Sequence, residues 1–281
     1  MGRIIAGIGT SHVPSIGIAF DRGKQNTPEW KPLFDGYKPV QQWLSDEIKP
    51  DVAIIVYNDH AVDFSFDKYP TFAVGVSETY AIADEGFGIR PLPPVKGDIV
   101  FSEHLCRHLI HEEEFDITVC REMEVEHGLL VPMNLCFNHV PDWNVKVVPL
   151  PVNVLQHPLP TALRCFKLGQ ALRRAVEAYP NDLNVVVIGT GGMSHQLHGE
   201  RFGYMNEKWD NWFLDGIETD PHMLCNMTHH ELMKAAGAEA VELIMWLTMR
   251  GALNSAVTRR HRHYYAPMTC GMGLITLQDA A

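Results

Sequence analysis

Three histidines follow apolar, strand-like runs in this 281-residue sequence, and their positions could bring them to one site. The first run ends in Thr10-Ser11-His12, the second in Asn58-Asp59-His60, and a later one in GTGGMSH, whose last residue is His195. In α/β proteins, ligands bind outside the carboxyl ends of the strands. Taken singly, each histidine is more simply explained as a hydrogen-bonded loop residue. Together they indicate a shared metal or acid–base site.

A metal site built from two neutral imidazoles needs a hard anionic partner to hold Fe(II) and leave coordination positions open. Glu242 is the candidate, because it lies in the apolar run AEAVELIMWLTMR (238–250), where an unpaired carboxylate is costly to bury. The alternative places Glu242 on a solvent-facing stripe with Glu239, and the helical pattern alone does not decide between them. His127, in EVEHG, is either another site histidine or a structural one.

Composition excludes several classes of protein. The net charge of -11 argues against a nucleic-acid partner, which would require clustered Lys and Arg. The six cysteines form no CxxC pair, which is typical of a protein in a reducing compartment. There is no apolar run of about 18 residues. These features predict a cytoplasmic protein with no membrane segment.

The apolar pattern predicts an α/β fold, a single-domain sandwich with a mostly parallel, helix-covered sheet over residues 1–281. The segment 77–97, rich in Gly and Pro, is expected to be a long functional loop or hairpin. The predicted strands are 3–9, 51–57, 71–76, 145–152, 183–189 and 273–278. The predicted helices are near 37–48, 98–112, 160–178, 205–217 and 238–250.

Several motifs together resemble the class III extradiol dioxygenases, in particular the β subunit of protocatechuate 4,5-dioxygenases. They are TSHVP (10–14), VYNDH (56–60), ADEGFGIRPLP (83–93), GTGGMSHQLHGER (189–201) and VELIMWLTMRGAL (241–253). The similarity runs over nearly the whole chain. It implies Fe(II) ligands at His12, His60 and Glu242, an acid–base role for His195, and contact of His127 with substrate or oxygen.

The resemblance also bears on the substrate. PMTC (267–270) stands where protocatechuate enzymes typically carry Ser-Asn, whereas VLQHPLP (154–160) and HGER (198–201) look closer to gallate dioxygenases. Thr269 and Asn58 are the expected substrate-binding residues. The expected reaction is extradiol opening of a carboxylated catechol such as protocatechuate by O2, with gallate or a methylated gallate as alternatives.

The family resemblance implies a small α subunit that caps the active site, and we expect an oligomer. Two rival interpretations keep the fold and change the activity. One is a hydrolase or lyase with Zn(II) on the same ligands, and the other is a metal-free relative that acts in binding or assembly.

Overall fold

The computed structural model describes residues 1–280, so Ala281, the last residue of the expected domain, lies outside the described part. The strands are β1 (Gly2–Thr10), β2 (Val52–Tyr57), β3 (Ala73–Gly75), β4 (Thr79–Ile82), β5 (Val95–Lys96), β6 (Thr118–Cys120), β7 (Glu124–Val125), β8 (Lys146–Pro151), β9 (Leu183–Thr190), β10 (Val257–Tyr265) and β11 (Met272–Asp279). The helices are α1 (Pro14–Asp21), α2 (Lys31–Trp43), α3 (Ile99–His111), α4 (His127–Cys136), α5 (Ala162–Glu177), α6 (Glu207–Thr219), α7 (Pro221–Cys225), α8 (His229–Ala236) and α9 (Ile244–Gly251). A π-helical turn (Leu44–Ile48) extends α2, and a 3-10 turn (Glu239–Leu243) leads into α9.

A six-stranded mixed sheet in the order β10-β11-β1-β9-β2-β8 forms the centre of the molecule. Strands β1, β9, β2 and β8 are parallel, whereas β11 runs antiparallel to β1, and β10 antiparallel to β11. Alternate side chains of β2 enter different cores: Ile54 and Val56 pack on one face of the sheet, and Ala53 and Ile55 on the other. Burial of both faces explains why the parallel strands are continuously apolar.

Helices α5 and α9 pack closely, and α9 directly follows the 3-10 turn that carries Glu242. A Cβ atom added at Gly169 of α5 would lie 2.0 Å from the Thr248 carbonyl oxygen of α9. At Gly251 of α9, an added Cβ would lie 2.1 Å from the Phe166 carbonyl oxygen. Two glycines therefore let the two backbones touch along the second half of α9.

The predicted fold class is confirmed, and the sheet is mixed because its β10–β11 edge is antiparallel. The segment 77–97 contains a hairpin, in which β4 and β5 pair antiparallel at Tyr80 and Val95. Strand β10 was not predicted, because its Arg-rich sequence lacks the apolar pattern of a buried strand. Its charges lie at the sheet edge, where Arg259 and Arg262 pair with Glu218 and Asp215 of α6.

Within residues 1–280, no helix combines the length and the apolar character needed to cross a bilayer. The six cysteines are all free and buried.

Candidate active site

The sheet order brings three of the predicted histidines to one edge. Strand β9 lies between β1 and β2 and is parallel to both, so the carboxyl ends of all three strands point the same way. His12 follows β1, His60 follows β2 and His195 follows β9. The chain therefore delivers three imidazoles to the edge at which α/β proteins bind ligands.

His12 is buried, with only one of its ring nitrogens hydrogen-bonded. Its Nδ1 and Thr190 Oγ1, at the end of β9, share a hydrogen bond of 2.8 Å. Its Nε2 has no hydrogen-bond partner in the described part of the chain and lies 3.3 Å from Glu242 Oε2. The first ring nitrogen thus fixes the orientation of the ring and leaves the second free to bind a ligand.

Glu242 lies on the 3-10 turn before α9 and is only 7% exposed. Its Oε2 accepts a hydrogen bond of 2.8 Å from the Gly192 N–H, and its Oε1 lies 3.7 Å from His60 Nε2. Gly191 has φ of +136°, and a Cβ there would lie 2.8 Å from Glu242 Cβ, so the glycine pair allows this approach. Glu239 instead pairs with His198 at 2.6 Å, which distinguishes the two carboxylates that the helical pattern could not.

His60 is half-buried and held through both ring nitrogens. Its Nδ1 donates to Glu126 Oε2 at 3.1 Å, and in the neutral ring its Nε2 accepts from Asn58 Nδ2 at 3.0 Å. Asn58, an expected substrate-binding residue, is fully buried, and its Oδ1 has no hydrogen-bond partner among the described residues. Asn58 therefore lies directly against a candidate metal ligand.

His127 lies beside His60, with ring centroids 4.0 Å apart. Its Nδ1 lies 2.6 Å from Glu126 Oε2 and also contacts Glu85 Oε1, while its backbone N–H donates to Glu85 Oε2 at 3.1 Å. Neither carboxylate was predicted from the sequence as a site residue. Glu126 directly precedes His127 in the sequence and could have been noticed, whereas Glu85 lies 42 residues away in sequence and gave no signal.

His195 joins the site through Gly192. The same glycine that donates to Glu242 packs on His195, since an added Cβ would lie 2.6 Å from His195 Cε1. His195 Nδ1 donates to the Met193 carbonyl oxygen at 2.7 Å, which leaves Nε2 as the unprotonated nitrogen of the neutral ring. Thr269, the other expected substrate-binding residue, is exposed and precedes Cys270, which forms a backbone bridge with His195.

Burial and opposite charges set the ionisation of this cluster. Burial opposes ionisation of Glu242 and Glu126, but neighbouring histidines outweigh it and hold the pKa of each carboxyl well below its usual range. Burial lowers the pKa of His12. It also disfavours charged His60, yet Glu126 and Glu242 raise the pKa of His60 to about 10. The pKa of His127 is raised in the same way, chiefly by Glu126 against burial.

The residues fit a divalent metal ion. One ligand atom from each of His12, His60 and Glu242 lies within 4.8 Å of the others, and the unpartnered His12 Nε2 faces the carboxylate. Adjacent donors of an ion bound at about 2.1 Å are about 3 Å apart, so small side-chain movements would complete the geometry. A second group, His60, Glu126 and His127, is equally compact, but hydrogen bonds from both histidine Nδ1 atoms already converge on Glu126.

A cavity of about 310 Å³ opens beside His127. Glu85 and Arg90 line it together with the apolar side chains of Phe87 and Ile89, all from the segment 83–93. Its size suits a small molecule.

The family pattern described as "Catalytic LigB subunit of aromatic ring-opening dioxygenase" matches residues 6–274. A gallate dioxygenase of Pseudomonas putida is 46% identical over 198 residues, which is 70% of this chain and 58% of that protein. The chain therefore spans a little over half the length of this relative.

Two further similarities cover nearly all of the chain. A 2,3-dihydroxyphenylpropionate/2,3-dihydroxicinnamic acid 1,2-dioxygenase of Photorhabdus laumondii is 24% identical over 96% of each chain. The crystal structure of an uncharacterized protein from Escherichia coli K12 superposes with a TM-score of 0.62 at 13% identity, covering 98% of this chain and 100% of that one. This structural match shows the shared fold alone.

Proposed function

Because the chain belongs to the family of catalytic LigB subunits of aromatic ring-opening dioxygenases, we propose that it opens a carboxylated catechol beside its diol, using O2 and Fe(II). The proposed ligands are His12, His60 and Glu242. The observation that carries the proposal is the convergence of two imidazoles and one carboxylate, from three distant segments, with ligand atoms within 4.8 Å of one another. Two histidines and one carboxylate with open positions are typical of non-heme Fe(II) oxygenases.

Residues next to the proposed ligands would hold them in the orientation needed to bind Fe(II). Thr190 and Glu126 hold the Nδ1 atoms of His12 and His60, so that each Nε2 faces Glu242. Such outer partners fix ring orientation at metal sites. When bound, Fe(II) would lower the pKa of a catechol hydroxyl and allow the electron-rich ring to react with triplet O2.

His195 is proposed as the acid–base residue. Because its Nδ1–H donates a hydrogen bond to the Met193 carbonyl oxygen, its Nε2 is free to accept the proton of a catechol hydroxyl. The same atom can return that proton as the ring opens, because an imidazole can act as both a general base and a general acid. His127 is proposed to contact the substrate or oxygen, because it lines the cavity and its Nδ1 is held by Glu85 and Glu126.

Gallate is the substrate we propose to test first and protocatechuate the second, because the 46% identical relative is a gallate dioxygenase. Asn58 is positioned to bind a ring hydroxyl, since its buried Oδ1 has no partner in the described residues and its Nδ2 already contacts His60. Thr269 is proposed to bind the substrate carboxylate. It is exposed beside the backbone bridge of Cys270 with His195.

We also propose that residues 1–281 form one catalytic domain, and that a small α chain or a further domain covers the cavity in an oligomer. Phe87 and Ile89 line the cavity, yet these residues are 87% and 68% exposed, which favours a cover over this rim. The free, buried cysteines suit the proposed cytoplasmic location.

The test is anaerobic loading of the purified chain with Fe(II) and, in parallel, with Zn(II), followed by oxygen-electrode assays with gallate and with protocatechuate. We expect O2 uptake in equal molar amount to the catechol consumed, with the Fe(II) protein only. Activity supported equally by Zn(II), or no uptake by the Fe(II) protein with either catechol, would contradict the proposal.

A further inference from the structure

A fully buried carboxylate lies directly behind the His195 loop. Asp210 is in the first turn of α6 and is 0% exposed. Its Oδ1 accepts from the Ser194 N–H at 2.8 Å, and its Oδ2 accepts from Ser194 Oγ at 2.6 Å and from Tyr264 Oη at 2.8 Å. A buried carboxylate is costly unless donors surround it, and these three donors supply that compensation.

The contacts of Asp210 fall on the residue next to His195. Ser194 precedes His195 in the chain, so a carboxylate that holds both its backbone N–H and its side chain restricts the backbone from which the imidazole projects. Ser194 Oγ in turn accepts from the Asn206 N–H at 2.7 Å, just before α6. Asp210 thereby ties the loop after β9 to the start of α6.

The surrounding backbone is shaped to admit this carboxylate. A Cβ added at Gly271 would lie 2.4 Å from Asp210 Oδ2, so the glycine leaves the space that the carboxylate occupies. Gly271 also exchanges backbone hydrogen bonds with the same loop, accepting from the Met193 N–H at 3.0 Å and donating to the Ser194 carbonyl oxygen at 3.0 Å. Burial raises the pKa of Asp210, and its hydrogen bonds with Ser194 and Tyr264 act against that rise.

A further contact of the loop explains why the position of Ser194 affects the orientation of the His195 ring. His195 Nδ1 donates to Met193, two residues before it, so the ring orientation depends on the backbone between these residues. Ser194 is the one residue between Met193 and His195 in the chain. If Ser194 moves, the Nδ1 contact weakens and Nε2 is no longer fixed as the free nitrogen.

We propose that Asp210 is a positioning residue for His195, which acts by anchoring Ser194 so that the imidazole keeps one tautomer with Nε2 facing the reacting groups. The kinetic part of this inference rests on the proposed function, whereas the tautomer part does not. Tyr264 belongs to the same anchor through its hydroxyl, and we assign it a weaker contribution because this hydroxyl donates to Asp210 rather than to the His195 loop.

The central variant is Asp210→Asn, which keeps the size of the side chain but places an NH2 group where Oδ2 now accepts two hydroxyl hydrogens. In metal-free protein labelled with ¹⁵N-histidine, the His195 ring signals are identified by their absence from His195→Gln. We expect one Nδ1–H tautomer in the wild type and a mixture of tautomers in Asp210→Asn. The signals of His12 and His60 should be unchanged.

The same variants are then loaded with Fe(II) and assayed. Asp210→Asn should lower kcat about 10-fold to 100-fold, because a small misplacement of a reacting group has costs of that order. KM and iron content should stay at wild-type values, since the proposed metal ligands lie on other segments. Tyr264→Phe should show a smaller loss of kcat, because both bonds from Ser194 to Asp210 remain.

Unchanged His195 signals and unchanged kcat in Asp210→Asn would overturn the inference. So would a general loss of iron and of all histidine signals, which would indicate a purely structural role. If Asp210→Asn does not fold, Ser194→Ala decides the question, since it removes the Oγ contact and keeps the backbone one. A wild-type protein without turnover would refute the proposed function, and the tautomer comparison would still decide the role of Asp210.

Discussion

Replacement of Glu242 by glutamine tests the candidate metal centre most directly. The amide keeps a carbonyl oxygen for the Gly192 N–H, which now donates to Glu242 Oε2 at 2.8 Å, so the metal-free variant should keep its fold. The change removes the negative charge that lies 3.3 Å from His12 Nε2 and 3.7 Å from His60 Nε2. It therefore affects metal binding while preserving the local packing.

The expected magnitude follows from the position of the carboxylate. Loss of a residue that only orients a metal ligand weakens metal affinity by about 10-fold to 100-fold. Glu242 is proposed to be a ligand itself, so its neutralisation should weaken Fe(II) binding by more than about 100-fold, or about 2.7 kcal/mol. Oxygen uptake with gallate should fall in proportion to the iron that is lost.

The measurement is an anaerobic titration of Fe(II) against a competing chelator, with iron content determined after gel filtration. Glu239→Gln is the matched control, because Glu239 lies on the same 3-10 turn and pairs instead with His198. We expect the control to bind iron like the wild type. Wild-type iron affinity in Glu242→Gln, or equal losses in the two variants, would refute the assignment of Glu242 as a ligand.

Three further changes test other parts of the structure. Gly192→Ala places a Cβ 2.6 Å from His195 Cε1 and 2.9 Å from Cys270 Sγ. Because the His195 ring must then move, kcat should fall about 100-fold. A wild-type kcat would contradict this geometry. Arg250→Met removes the side-chain donors of three hydrogen bonds to backbone carbonyls, each 2.8 Å long. It should lower the free energy of unfolding by about 3–5 kcal/mol in urea titrations. A change below about 1 kcal/mol would show that water replaces these bonds. Burial lowers the pKa of His263 from 6.5, so the folded protein binds fewer protons and loses stability as the pH falls below that value. His263→Gln should reduce this loss in urea midpoints between about pH 7 and pH 5, and an unchanged slope would exclude the contribution of His263.

The sequence predicted the central strands well because their environment leaves a simple pattern. Strands β1, β2 and β9 are covered on both faces, so their sequences are continuously apolar and their ends lie within one residue of the predicted ones. Polar residues that directly follow such strands reach one sheet edge, which is why His12, His60 and His195 could be grouped before the structure was known.

The remaining parts of the site depend on contacts that no local pattern contains. The burial of Glu242 follows from packing against Gly191 and Gly192, about 50 residues earlier, and the helical pattern could not distinguish it from Glu239. Glu85 and Asp210 were missed because acidic residues are usually exposed. One sequence gives no sign that Glu85 contacts His127 or that Asp210 binds Ser194. Strand β10 was missed for a related reason, since an edge strand can carry charges that a central strand cannot.

The order of strands in the sheet also sets when the centre can form during synthesis. His12 and His60 leave the ribosome early, but the strands that carry them are not neighbours, because β9 lies between them. The two imidazoles can take up their final separation only after residues 183–190 have inserted, and the carboxylate of Glu242 follows about 50 residues later. A nascent chain that lacks these residues would not contain the full set of proposed ligands, so a metal ion could be held by all three of them only in an almost fully synthesised protein.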